Sequence, residues 1–284
     1  MSFIADIMQY SFIQKALFTA VMVGIICGIL GCFIVLRGLA LMGDAISHAV
    51  LPGVAVSFML NINFFYGSVI AGILAALGIG YVNQHSRIKN DSSIGIVFTA
   101  FLALGVLLIR HAQSGVNLDS ILFGSLTAVQ TSDMWLTLIV GAVVLLVVIL
   151  FYKELLVSTF DPTMAAAYGL PTRLIHYMLM VLLTLVTVAS MQTVGVILVV
   201  AMLVTPASTA YLLTNRLSIM LVLSSLFGVL ASLVGLYFSF VYDLESGAVI
   251  VITSFILFAL VFVFSPKQGL LWRTIRSKRK KAAL

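Results

Sequence analysis

The sequence predicts an all-α, polytopic membrane protein with about eight to nine transmembrane helices. Hydrophobic residues make up 62% of the 284 positions and charged residues only 8%, with a mean hydropathy of +1.24, so most side chains have lipid as their solvent. The apolar residues also gather into runs close to the roughly 17–25 residues that one bilayer crossing requires. Residues 1–284 read as a single transmembrane domain.

Taken in order, the expected spans are 17–36, 38–60, 64–82, 93–109, 134–152, 174–189, 194–213, 217–241 and 248–264. The stretch 1–15 has no basic region ahead of its apolar segment and no small-residue cleavage site, so the first segment is expected to remain as a span. Segment 38–60 is the least regular, because Gly43, Pro52 and Gly53 interrupt it. A helix broken at membrane depth is tolerated only where its backbone is buried in protein or lines a cavity, so a discontinuous helix beside a passage is expected here.

Orientation follows from lysine and arginine, which favour the cytoplasmic side. The tail 266–284 carries Lys267, Arg273, Arg276, Lys278, Arg279, Lys280 and Lys281, and is assigned to the cytoplasm. Loops holding Arg216, Lys153 with Arg173, and Arg87 with Lys89 alternate onto the same side. Asp243 with Glu245, Asp133 and Asp119 fall outside, and only Arg110 runs against the trend. Nine spans place the N-terminus outside. The net charge of +6 comes largely from the tail, which points to membrane orientation and contact with lipid headgroups and excludes a nucleic-acid reading.

Within the first span, Cys27 and Cys32 are five residues apart and point to different sides of a helix, as packing residues do. Gly24, Gly28 and Gly31 make a small-residue stripe that lets helices approach closely.

The chemistry concentrates in segment 38–60. Asp44 and His48 lie inside an apolar run, and insertion scales charge roughly 2.5–3.5 kcal/mol for one acid at a helix centre, so an intramembrane acid implies function. Four residues apart on a helix, their Cβ atoms are about 6 Å from each other, within reach of one cation. A carboxylate with an imidazole suits a divalent transition metal better than sodium or a sugar. The plainer reading is an acid that holds a re-entrant turn beside a satisfied core histidine. His176, near the start of a span, and His85 and His111, in loops, read as interfacial or solvated.

The longest polar interruption, 153–173, is too polar to span. Asp161 is placed to cap a helix with Pro162 at its first position, and Gly169 followed by Pro171 makes a stop. The result is a short, rigid surface helix, either a connector or an element that docks into a groove on a cytoplasmic partner. Ser190, Gln192 and Thr193 are expected to begin the seventh span, in which Thr205 and Pro206 break the apolar face. Gln192, Thr205 and Pro206 either line the pathway or supply hydrogen bonds between helices, and Pro206 is expected to kink its helix.

Three segments together resemble a known family: RGLALMGDAISHAVLPGVA at 37–55, FDPTMAAAYGLP at 160–171, and MQTVGVILVVAMLVTPASTAYLL at 191–213. The chain looks like a membrane permease subunit of the ATP-binding cassette importers for manganese, zinc and iron, and most like the manganese permeases of Gram-positive bacteria. That resemblance implies a fold similar to the vitamin B12-type importer permease, with fewer spans. It carries the family's metal-coordinating element onto Asp44 and His48, and the coupling helix onto 160–171, including Asp161, Ala165, Gly169 and Pro171. It also implies a second permease copy forming a homodimer, two cytoplasmic ATP-binding subunits, an extracellular metal-binding lipoprotein, and a place in the bacterial plasma membrane. The transported ion would be Mn²⁺, with Zn²⁺ or Fe²⁺ as alternatives, and no covalently bound cofactor is expected. No Gly-Lys-Ser/Thr occurs, so the chain has no Walker A loop and ATP chemistry is expected in a partner. An ion-gradient-driven carrier is the competing class, but the Gly-Asp-x-x-x-His element has no repeat in the C-terminal half.

Overall fold

A computed structural model describes residues 10–111 and 129–265. Asp119 and the basic tail from Lys267 to Lys281 lie outside the described residues. The helices are α1 (Ser11–Leu36), α2 (Leu41–Ala49), α3 (Leu51–Met59), α4 (Phe64–His85), α5 (Asn90–His111), α6 (Thr131–Leu150), α7 (Tyr152–Phe160), α8 (Pro162–Ala167), α9 (Thr172–Val194), α10 (Val196–Tyr211), α11 (Leu217–Tyr242) and α12 (Ser246–Phe264).

Hydrogen bonds between distant residues order the ends of the bundle. The start of α1 meets the start of α6, where the Lys15 ammonium donates to Thr131 Oγ1 at 2.8 Å. Its far end meets α7, where Arg37 donates to Ser158 and Thr159. Antiparallel to α1 runs α11: Ser232 Oγ donates to the Ala20 carbonyl at 3.0 Å and Ser224 Oγ to the Gly28 carbonyl at 2.8 Å. The ends of α10 and α12 meet where Ser265 Oγ donates to the Leu212 carbonyl at 2.8 Å. Apolar passes therefore alternate between an Arg37 end and a Lys15 end.

Among the described residues, eight candidate spans reach at least 18 residues, with α2 and α3 counted together as Leu41–Met59. The ninth apolar segment, α10, has only 16 residues, or about 24 Å of helix. The second pass has a one-residue joint, not the unwound break the sequence suggests: α2 ends at Ala49 and α3 begins at Leu51, while Val50 between them stays right-handed helical at φ −78°, its N–H bonded to the Ile46 carbonyl at 3.1 Å. Pro52, in the first turn of α3, has no N–H to carry the ladder across that joint.

One boundary differs from the sequence reading. Ser190, Gln192 and Thr193 close α9 instead of opening the next pass, because Gly195 at φ +82° ends the helix only after Val194. Glycine adopts that conformation without a Cβ penalty, which is why the break falls there.

The core is centred on α1, α2, α9 and α10, with Ile26, Leu30, Phe33, Met42, Ile46 and Leu183 all fully buried. The glycine stripe of α1 sets the spacing. A Cβ on Gly24 would lie 2.9 Å from the Gly228 carbonyl of α11, and one on Gly31 would lie 1.9 Å from the Leu203 carbonyl oxygen of α10. Outward faces stay apolar, as with Val222 and Leu226 of α11 and Phe255 and Ile256 of α12, which suits a lipid surround.

Candidate metal pathway site

The site is built on α2, and its placement follows from how that helix packs. Met42, Gly43, Ala45, Ile46, Ser47 and Ala49 are buried. Gly43 lets the helix approach α10, since a Cβ there would sit 3.0 Å from Leu203 Cδ1. Ser47 Oγ donates to the Gly43 carbonyl at 2.9 Å, so this buried hydroxyl is satisfied within the helix. The remaining face carries Asp44 in the first turn and His48 in the last.

His48 Nε2 lies 3.5 Å from Asp44 Oδ1, the geometry expected for i and i+4, and this is the only close contact between an acidic and a basic side chain among the described residues. The Asp44 side chain is 51% exposed and that of His48 28%. One side of the His48 ring is held by Phe98 of α5, with ring centroids 5.7 Å apart and planes tilted by 56°. The sequence singled out the pair but not Phe98, because an apolar span offers many aromatic residues and no spacing signal to distinguish one.

A carboxylate oxygen and an imidazole nitrogen this close can ligate one divalent ion. They are two ligands where such ions take four to six, and no cluster of three or more His, Cys, Asp or Glu exists among the described residues. The pair also lies on the surface of one chain instead of inside its core. An ionisable pair within a transmembrane pass must face a water-filled passage or another protein surface, not lipid.

The segment 160–171 has the capped geometry the sequence predicts. The Asp161 carboxylate accepts from the Thr163 hydroxyl at 2.6 Å and from the Met164 N–H at 2.9 Å. These bonds, the hydroxyl first, hold its pKa below the ordinary aspartate value. At the other end Gly169 adopts φ +78°, its N–H bonds the Ala166 carbonyl at 3.0 Å, and the Leu170 N–H bonds the Ala165 carbonyl at 3.1 Å. That pair of bonds is a Schellman stop. Pro171 then precedes α9. Ala165 is fully buried, so it anchors α8 to its own chain, while Met164 and Tyr168 are exposed at 50% and 72%. Ala165 is the one buried residue of α8, and Met164 with the capping Tyr168 are the large apolar side chains that this segment offers outward.

Thr205 and Pro206 lie on α10, close to the Leu203 that touches Gly43, and the helix continues through Pro206. The Thr205 carbonyl accepts from Thr209 Oγ1 at 2.7 Å. Gln192 sits at the Lys15 end, two residues before the end of α9 and away from Asp44; its Nε2 is buried without a partner. His85 Nδ1 lies 3.0 Å from the Tyr81 carbonyl and its ring stacks on Tyr81, and His111 is exposed at the end of α5. His176 lines a cavity at the Arg37 end.

A helical protein with eight candidate membrane passes among the described residues, one of which carries a carboxylate–imidazole pair, defines the class as a multi-pass membrane protein. Residues 9–265 match the ABC 3 transport family, and the chain belongs to that family. It is 61% identical over 272 residues to the manganese transport system membrane protein MntC of Listeria monocytogenes, covering 96% of this chain and 97% of that one. With the manganese import system permease protein ScaB of Streptococcus parasanguinis the identity is 53% over 266 residues, covering 94% and 95%. Among solved structures, PsaBC from Streptococcus pneumoniae in complex with Fab superposes with a TM-score of 0.85 at 52% identity, covering 94% of this chain and 96% of that one.

Proposed function

We propose that the chain is the membrane permease subunit of an ATP-driven importer that carries Mn²⁺ across a bacterial plasma membrane. The observation that carries this reading is the Asp44–His48 pair, 3.5 Å apart on a face that one chain leaves uncovered. A second copy presenting the same face about a two-fold axis offers two carboxylates and two imidazoles, with water completing the shell. Few ligands and open positions suit a transient stop, because conduction needs release as well as entry. The relatives named for manganese transport support the choice of ion.

In this reading the Arg37 end faces the cytoplasm, as does the C-terminal tail, and α8 docks on a separate ATPase subunit. An extracellular metal-binding lipoprotein delivers the ion at the Lys15 end. The rigid caps of α8 support the coupling role, since a helix pinned at both ends transmits displacement to α9 without fraying.

The test is uptake of radiolabelled manganese by cells lacking their own importer, comparing the intact system with Asp44→Ala and His48→Ala at matched membrane expression and with zinc as competitor. Both variants are expected to lose uptake while the complex still assembles. Normal transport by both would make the pair structural and sink the proposal.

A further inference from the structure

At the Arg37 end an open cavity of about 440 Å³ lies apart from the Asp44–His48 pair. Its walls come from distant parts of the chain: Arg37 after α1, Ser158 and Thr159 of α7, and Arg173 and His176 of α9. Arg37 is half-buried, with Nε donating to Thr159 Oγ1 at 3.1 Å and Nη2 to Ser158 Oγ at 2.8 Å. A guanidinium has five N–H donors, so the two hydroxyls orient this one and leave the rest available to the cavity.

What the cavity lacks is an anion. None of its lining residues is an aspartate or glutamate, and among the described residues neither Arg37 nor Arg173 has a carboxylate within ion-pairing distance. A cation withdrawn from water without a counter-charge is unfavourable, and a fixed guanidinium fork matches the oxygens of a phosphate. Beside the polar Gln84, Asn90 and Thr172, the cavity has an apolar stretch of wall formed by Leu36 at the end of α1, Leu39 just beyond it, and Pro162. The candidate span Ser11–Leu36 ends at this cavity, and the end of an apolar crossing is where headgroups are met.

We propose that this cavity binds the phosphate of an anionic phospholipid, held by Arg37 and Arg173 with the lipid's glycerol and upper chain lying against Leu36 and Leu39. A free phosphate satisfies the arginines equally but makes no use of the apolar wall, which is why a lipid is favoured. Occupancy joins the end of α1, from which the chain turns into α2 and Asp44, to α7 and α9, which flank α8. Lipid bound there braces the metal-bearing helix against the docking segment.

The experiment is native mass spectrometry of the delipidated full chain in mild detergent, titrated with phosphatidylglycerol, phosphatidylcholine or inorganic phosphate. The expected result is retention of phosphatidylglycerol over phosphatidylcholine, with inorganic phosphate failing to displace it at matched concentration. Arg173→Gln, at an exposed position, is expected to weaken retention by about tenfold. Arg37→Lys keeps the charge and loses the fork, and is expected to weaken it as well. Equal retention of phosphatidylcholine, or wild-type retention by Arg173→Gln, would overturn the proposal. Displacement by inorganic phosphate would overturn the lipid and leave a free-anion site. Loss of the lipid when the partner ATPase is added would assign the cavity to that partner.

Discussion

Replacing Gly31 by alanine tests whether the α1–α10 contact sets the position of the Asp44–His48 pair. The new Cβ would lie 1.9 Å from the Leu203 carbonyl oxygen and 2.9 Å from its carbonyl carbon, whereas ordinary contact begins near 3.4 Å. Both neighbours are backbone, so no side chain can swing away, and the helices must part by on the order of 1.5 Å. Overpacking a dense core costs roughly 1–3 kcal/mol, and a rigid backbone obstacle belongs at the upper end. Scanning fluorimetry of the purified chain should show a fall in Tm of at least about 5 °C. Because Leu203 Cδ1 also rests against Gly43, beside Asp44, manganese uptake should fall at matched expression. Gly95→Ala is the control: that helical glycine has nothing within 4 Å of its Cβ position, and the exchange favours helix by up to about 1 kcal/mol. A Tm for Gly31→Ala equal to that of Gly95→Ala would refute the close approach and its link to the site.

Ser232→Ala removes the hydroxyl that reaches the Ala20 carbonyl, and since interhelical bonds in membranes average about 0.6 kcal/mol, Tm should drop by no more than about 3 °C. Asp161→Ala should accelerate amide exchange at Met164 by removing its acceptor, while Asp161→Asn, which keeps a capping oxygen, should not. Because the Asp161 pKa is lower folded than unfolded, the cap contributes fully above the unfolded value of about 3.9 and is lost as pH falls through the folded one. Protection of Met164 should therefore stay flat through neutral pH and decline only in acid. Met164→Glu together with Tyr168→Glu should abolish co-purification of the ATPase subunit with no change in Tm, since both side chains point away from their own chain.

Local chemistry was legible where a residue type forces one conformation. Asp161-Pro162 and Gly169 specify the two ends of α8, and Pro52 forces the joint between α2 and α3, so both could be read from neighbouring letters. The contact between Asp44 and His48 was legible for a different reason, since residues four apart on a helix share one face, and their side chains do meet at 3.5 Å. What depends on partners distant in sequence was not legible. The stripe at Gly24, Gly28 and Gly31 announced close packing, but not that Gly24 faces Gly228 or that Gly28 faces Ser224. Gln192 was placed in the wrong pass because apolar runs meet at Gly195 with no polar loop, and only its positive φ reveals the turn. Ala165 sits within a legible helix, yet which side of so short a helix is buried depends on the chain beneath it.

The shortness of α10 changes what membrane thickness means for this protein. A helix of 16 residues, about 24 Å long, would be mismatched in a bilayer of about 30 Å if lipid surrounded it. Instead α10 packs against α1, α11 and α12, longer helices of 26, 26 and 19 residues, so protein covers much of its surface. Thickness is then felt at the periphery, above all by α12, whose Ile252, Phe255, Ile256 and Leu260 stand exposed. The bundle has an outer layer that follows the lipid and an inner strut insulated from it, so the α10 contact that positions Asp44 keeps its dimensions in membranes of differing thickness.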